Sequence, residues 1–259
     1  MPDYLDLLAR DARKTINEGY YDLKNQFLMT PTSLRKAILE KINNAIITEI
    51  KAASPSKGII KSNIDPSKVA IAMEKGGATG ISVLTEPKHF NGSLDYLIKV
   101  RETVCLPILF KDIIISPLQI EAASRIGANV ILLIEALFQR EYSEVGIDEM
   151  IALAHARNLE VLLEIHNEAE FEDAIETKAD LVGINNRDLR TLKVDLHNTE
   201  RILKKCESKN KIIVSESGII TTHDLSFLKR CGARAFLIGS SIMMAKNIES
   251  KVKEYVNVH

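Results

Sequence analysis

The chain holds 259 residues, 46% of them hydrophobic and 27% charged, with 34 Lys and Arg against 35 Asp and Glu for a net charge of −1. That length allows one large domain or two small ones, and the apolar share excludes wholesale disorder. Balanced charge gives no support for a nucleic-acid surface.

The longest run without a formal charge, Ala235 to Ala245, has 11 residues, too short for a membrane-spanning helix of about 20. Asp3, Asp6, Arg10 and Asp11 stand where a signal peptide needs an apolar core. Cys105, Cys206 and Cys231 are odd in number, far apart and free of CxxC spacing, which argues against a disulfide framework or a zinc site. A cytoplasmic protein without a membrane anchor is expected.

In chain order, Tyr4, Leu5, Leu8 and Ile16 mark a first, loosely patterned helix. Leu34, Ile38, Leu39 and Ile42 mark a second, with Ser33 as its cap. Residues 1–44 thus read as a helical extension that packs on the bottom or over the mouth of the main domain. The first apolar, β-rich run begins near Ala45, and seven more begin near Thr79, Pro107, Val130, Glu160, Leu181, Lys211 and Ala235. Their mean spacing of about 27 residues leaves room for one crossover helix each time. Asp65-Pro66 and Ser116-Pro117 open helices with a cap and a first-turn proline, and Ser93 caps another. Gly77-Ala78, Gly127-Ala128 and Gly232-Ala233 each join a helix-like stretch to an apolar run, as a left-handed residue at a helix C-terminus does.

The runs are apolar on both faces, the pattern of a parallel sheet buried on both sides. Eight such α/β units predict a (β/α)8 TIM barrel over residues 45–250, with a short polar tail, 251–259, after it. A doubly wound sheet is the structural alternative, disfavoured because no GxGxxG stands after the first strand.

Barrel active sites lie at the C-terminal ends of the strands, and there this sequence places charge. The first strand ends in Glu49 and Lys51, on one side of the strand; the third in Lys111-Asp112; the fifth in Glu164. The sixth runs into Asn185, Asn186 and Arg187, the seventh into Glu216-Ser217-Gly218 and the eighth into Gly239-Ser240-Ser241. Three cations (Lys51, Lys111, Arg187) and three anions (Glu49, Glu164, Glu216) on one rim need partners or a ligand, and their alternation suits proton transfer. Glycine and serine after strands seven and eight are where many barrels hold a phosphate. His166 reads as a supporting or structural residue, and the absence of HxH or HExxH spacing argues against a metal.

The segments TEIKAASPSKG (48–58), LTEPKHFNGS (84–93), ILFKD (108–112), VLLEIH (161–166), LVGINNRDL (181–189), SESGI (215–219) and FLIGSSIM (236–243) together resemble the indole-3-glycerol phosphate synthase family of tryptophan biosynthesis. The resemblance implies conversion of 1-(2-carboxyphenylamino)-1-deoxyribulose 5-phosphate to indole-3-glycerol phosphate, CO2 and water, with no cofactor, in a monomer or weak homo-oligomer. By the same resemblance Lys111 is the general acid, and Glu164 and Glu49 are the carboxylates of the dehydration. Lys51 is a second candidate acid. Asn185 is catalytic and, with Arg187, holds the anthranilate end. Glu216 and Ser217 contact the ribulose-derived chain. Lys51, Ser54, Gly218, Gly239 and Ser240 take the phosphate, and Phe90, Leu133 and Ile184 contact the aromatic ring.

The sequence departs from the family pattern at Phe110, Ile113, Glu135 and Met244, none of them an acid or base candidate. A sugar-phosphate isomerase of the phosphoribosylanthranilate isomerase kind would want a Cys/Asp or Asp/Asp pair at strands one and six, where Glu49, Lys51 and Asn185 stand instead. A non-catalytic phosphate-binding barrel would not need the acid–base set. Whether neighbouring cations lower the Lys111 pKa or neighbouring carboxylates raise it depends on distances that the sequence does not contain.

Overall fold

The computed structural model describes residues 3–23, 32–54, 58–59 and 64–258. Eight parallel strands close a barrel: β1 (Ala45–Ile50), β2 (Gly80–Leu84), β3 (Ile108–Lys111), β4 (Val130–Ile134), β5 (Glu160–Ile165), β6 (Leu181–Asn185), β7 (Ile212–Glu216) and β8 (Ala235–Ile238). Each pairs with the next in sequence, and β8 closes on β1 with Ala45 opposite Ala235. Every strand begins within one residue of its expected start.

The helices start where local chemistry places them. Asp65 accepts the Lys68 N–H at 3.2 Å to open α3 (Pro66–Lys75), behind α1 (Tyr4–Asn17) and α2 (Leu34–Glu40). Ser93 caps α4 (Leu94–Arg101). Ser116 forms a capping box with Gln119 at α5 (Pro117–Arg125). The glycines at the three repeated junctions, Gly77, Gly127 and Gly232, all have positive φ, between 83° and 111°, a region that costs other residues energy. The outer shell continues with α6 (Glu135–Gln139), α7 (Ile147–Ala156), α8 (Glu168–Glu176), α9 (His197–Lys205), α10 (Thr222–Cys231), α11 (Ser240–Met243) and α12 (Ile248–Asn257). Glu135 thus begins a helix rather than extending β4. There its charge meets the positive end of the helix dipole, although burial and nearby Asp173 and Glu170 push its pKa to about 7.

Two apolar clusters arise from the alternation of strand side chains. Ile47, Leu109, Leu132, Leu162, Leu181, Val214 and Leu237 fill the barrel interior. Ile46, Ile81, Phe110, Leu133, Val182, Ile184 and Phe236 pack outward against the helices. The N-terminal extension belongs to the interior cluster at both ends. Leu34 and Ile38 of α2 join it, with Leu34 packed where β2 begins at Gly80, while Tyr4 and Leu8 of α1 reach the cavity at the mouth. The second helix stops at Glu40, leaving Ile42 fully exposed.

The expected polar tail is corrected by α12. Residues 251–257 continue a helix that starts at Ile248, and its Val252, Tyr255 and Val256 are buried. Its apolar residues are few and interleaved with charge, yet they recur at helical spacing and pack on α3 and the start of β1. The Tyr255 hydroxyl donates to the Ile220 carbonyl at 2.5 Å and meets Ser241 Oγ at 3.1 Å, so this last helix braces the loops after β7 and β8.

Candidate active site

A cavity of about 450 Å³ opens at the C-terminal ends of the strands, within the usual size of a small-molecule site. Its lining includes Glu49, Lys51, Lys111, Glu164, Asn185, Arg187 and Glu216, so all six charged groups of the expected rim converge. Phe90, Ser217, Gly218, Gly239 and Ser240 also line it. Ser54 lies in a short antiparallel pair, Ala53–Ser54 with Gly58–Ile59; its side chain is outside the described residues.

Lys111, the last residue of β3, lies on the cavity floor. Its Nζ donates to Glu164 Oε2 at 3.2 Å and to Glu216 Oε2 at 3.1 Å. Burial alone would lower its pKa, but Glu216, Glu164 and Glu49 outweigh burial and raise it above the ordinary lysine value. The carboxylates therefore decide the question that sequence leaves open. Glu164 is also buried, yet Lys111, His166 and Asn185 hold its carboxyl well below the usual range. Glu216 goes the other way: burial, against the pull of Lys111 and with repulsion from Glu164 and Glu49, lifts it to about 7. Two carboxyls beside one ammonium are thus driven apart, the arrangement that separates acid from base.

Lys51 Nζ lies 2.6 Å from Glu49 Oε1, so the two side chains share one side of the chain. Asn185 donates from Nδ2 to Glu164 Oε1 at 3.0 Å and accepts the Arg187 N–H on Oδ1 at 3.0 Å. Arg187 in turn donates from Nη1 to the Leu192 carbonyl at 2.8 Å, which holds its fork beneath the loop after β6. Glu86 accepts the N–H groups of Lys88, His89 and Phe90, shaping the loop that presents Phe90 to the cavity.

At the ends of β7 and β8 the backbone itself comes forward. Ser217 and Gly218 both have positive φ, 66° and 88°, and for serine that conformation is a local cost of the kind found at functional turns. A methyl group on Gly239 would come within 2.6 Å of Glu49 Oε1. Gly183, to which the sequence reading assigns no role, leaves the space that Glu216 Oε1 occupies.

Two expected ring contacts are corrected. Leu133 and Ile184 point outward into the helix-facing cluster, and neither lines the cavity. Their neighbours Leu132 and Ile134 do line it, with Leu8, Ile113 and Leu84. Successive strand side chains alternate between faces, and Ile134 stands opposite Glu164 in the ladder, which marks its parity as inward. Ile113 belongs to this wall, so its side chain, though not aromatic, does face the cavity. Among the described residues, no group of three or more His, Cys, Asp or Glu side chains is arranged to hold a metal ion.

The family model for indole-3-glycerol phosphate synthase matches residues 9–255. The chain belongs to the indole-3-glycerol phosphate synthase family. It is 45% identical over 252 residues to the indole-3-glycerol phosphate synthase of Methanocaldococcus jannaschii, covering 96% of this chain and 91% of that protein. It is 41% identical over 249 residues to that of Acetivibrio thermocellus, covering 96% and 94%. Among solved structures it is similar to a thiamine phosphate pyrophosphorylase from Pyrococcus furiosus, with TM-score 0.62 over 87% of this chain and 97% of the other. That likeness, at 16% identity, is one of fold.

The enzyme is a carboxy-lyase of tryptophan biosynthesis. It closes the pyrrole ring of its phosphorylated substrate, releases CO2 and eliminates water to give indole-3-glycerol phosphate. The isomerase and non-catalytic alternatives fall with this assignment. No helix among the described residues is long and apolar enough to cross a membrane.

Proposed function

We propose that Lys111 is the general acid of ring closure, and the observation that carries this role is its ammonium group held between Glu164 and Glu216 on the cavity floor. The carboxylate-bearing aromatic carbon attacks the ketone carbon, and charge develops on the ketone oxygen. Lys111, kept charged by its carboxylate neighbours, supplies a proton to that oxygen as it becomes an alkoxide more basic than an amine. Loss of CO2 then restores the aromatic ring.

Dehydration needs a proton for the departing hydroxyl and a base for the proton on the adjacent ring carbon. Glu164, held ionised by Lys111 and Asn185, is the base. Lys51, paired with Glu49, is the second acid. Arg187 and Asn185 hold the anthranilate carboxylate end, where a guanidinium fork matches two oxygens. Phe90, Leu132, Ile134 and Ile113 wall the ring. Glu216 and Ser217 meet the ribulose-derived chain, and the phosphate lies between Lys51, Ser54, Gly218, Gly239 and Ser240, where glycine lets an anion approach the backbone. No cofactor is required. The same reading puts the enzyme in the cytoplasm as a monomer or weak homo-oligomer, which light scattering on eluting protein tests.

Supplying the carboxyphenylamino-deoxyribulose phosphate and following indole fluorescence tests the roles. Lys111→Ala is expected to lose turnover by about 10²–10⁴ while still binding a reduced substrate analogue. Turnover that survives places the general acid elsewhere.

A further inference from the structure

The two asparagines that end β6 face opposite ways. Asn185 turns inward to Glu164. Asn186 turns away: it is 2% exposed and lines no part of the substrate cavity. Its backbone already has partners, since its N–H donates to the Glu216 carbonyl at 2.9 Å and its carbonyl accepts the Asp195 N–H at 2.9 Å. The side chain is therefore available for something other than the sheet.

Asn186 Oδ1 accepts the Thr199 N–H at 3.2 Å and the Thr199 hydroxyl at 2.8 Å. That uses the one Thr199 hydroxyl proton, so Ser215 Oγ, 2.9 Å away, donates to Thr199 Oγ1. Ser215 Oγ in turn accepts from Asn186 Nδ2 at 3.0 Å, which closes a ring of three buried side chains. The ring fixes which way the amide faces, because a flipped amide would set its own N–H groups against the Thr199 N–H. Nδ2 is thereby aimed at two carbonyls, Glu216 at 2.9 Å and Ser217 at 3.2 Å. The Glu216 carbonyl has a backbone donor without it. The Ser217 carbonyl is met by no other donor among the described residues.

Ser217 has φ 66°, a left-handed conformation that serine adopts at a cost, and Gly218 after it has φ 88°. The peptide bond joining them is trans, so its C=O and N–H point opposite ways. With the Ser217 carbonyl drawn back to Asn186, the Gly218 N–H points forward. Gly218 lines the substrate cavity and Asn186 does not, so forward is into the cavity. Among the described residues no backbone acceptor takes that N–H. We propose that Asn186 is a positioning residue for substrate, locking the Ser217–Gly218 peptide with its N–H facing the substrate phosphate. This rests on the phosphate site proposed above and adds the group that orients it.

The competing state of this peptide is a flip. It needs only rotation about Ser217 ψ and Gly218 φ, and glycine tolerates either sign of φ. Flipped, the peptide presents a carbonyl oxygen to the cavity, and that oxygen repels a phosphate. The Asn186 bond, backed by the ring behind it, holds the anion-binding orientation before substrate arrives, so little binding energy goes into ordering the loop. Asn186 touches no reacting atom. It acts through the Gly218 N–H, and its effect falls on phosphate affinity rather than on the Lys111 chemistry.

The test compares Asn186→Ala with wild type in steady-state turnover and in inhibition by inorganic phosphate. KM and the phosphate inhibition constant should both rise about five- to tenfold, while kcat stays within about twofold. Thr199→Val opens the ring on its far side and leaves the Ser217 bond in place. It should lower the melting temperature yet leave phosphate inhibition within about twofold. Asn186→Ser, whose hydroxyl ends short of the Ser217 carbonyl, replaces the alanine variant if that does not fold, with the same expectation. An unchanged phosphate constant, a loss confined to kcat, or an equal rise in Thr199→Val overturns the proposal. Phosphate that does not compete with substrate in wild type overturns the phosphate site too, so the two failures are distinguishable. A second measurement needs no variant. Ser217-Gly218 is the one Ser-Gly pair of the sequence, so labelling serine at its carbonyl carbon and glycine at nitrogen picks out a single amide by NMR. Its proton resonance is expected to move downfield as phosphate is added, and a resonance that stays put overturns the proposal.

Discussion

Glu216→Gln tests the electrostatics of the site without changing its shape. Glu216 is buried, one of its carboxyl oxygens has no hydrogen-bond partner, and its pKa is lifted from 4.5 to about 7. A raised pKa means that the folded protein binds this proton more tightly than the unfolded chain. The resulting stability is complete below the unfolded value of 4.5 and is lost as pH rises through about 7. The span corresponds to at most about 3 kcal/mol. Glutamine keeps the shape, carries no charge and has nothing to lose, so the variant gains on wild type across that window.

Urea unfolding of both proteins at intervals from about pH 5 to pH 8 is expected to show little difference at the acid end. Toward pH 8 the variant becomes more stable by a few kcal/mol, while turnover falls because Lys111 has lost a partner. Asp112, whose pKa burial also pushes to about 7, is present in both proteins and drops out of the comparison. A difference that stays flat with pH, or shrinks, refutes the assignment of Glu216 as a strained, proton-holding carboxyl.

Gly239→Ala, which the backbone φ of −109° permits, puts a methyl against Glu49; KM is expected to rise about tenfold with little change in melting temperature. Leu133→Ala should cost about 2–5 kcal/mol of stability and leave KM unchanged, whereas Leu132→Ala should raise KM as well; the reverse pattern would put Leu133 in the cavity. Tyr21→Phe removes the hydroxyl that donates to Asp112 Oδ1 at 3.1 Å, and thermal melts should show a loss of about 1–2 kcal/mol. Activity assayed with and without excess EDTA should be the same, and inhibition would expose a metal requirement.

Features governed by near neighbours along the chain are legible in the sequence itself. Asp65, Ser93 and Ser116 cap helices because a side-chain oxygen reaches an N–H two or three residues on. The rim residues Glu49, Lys111, Glu164 and Glu216 stand out because charge at the end of an apolar strand has few structural uses. Leu133 and Ile184 defeat a sequence reading because the strands are apolar on both faces: when both are buried, polarity no longer reports which way a residue points. The buried face of α12 hides for the opposite reason, since Val252, Tyr255 and Val256 are interleaved with Lys251, Lys253 and Glu254.

Sequence alone determined the number and order of the α/β units and the family, and it marked the charged residues that meet on the rim. All of these are written in short-range pattern and motif. Only the closed barrel decided which residue of each apolar pair looks inward, and that α2 lies below the barrel while α1 reaches its mouth. It also decided that Lys111 is held charged rather than eased toward neutrality. Closure brings β3, β5, β7 and β1 to one floor, so carboxylates 53 and 105 residues along the chain from Lys111 come within 3.2 Å of it. At such distances in a buried site, Coulomb attraction outweighs the cost of desolvation.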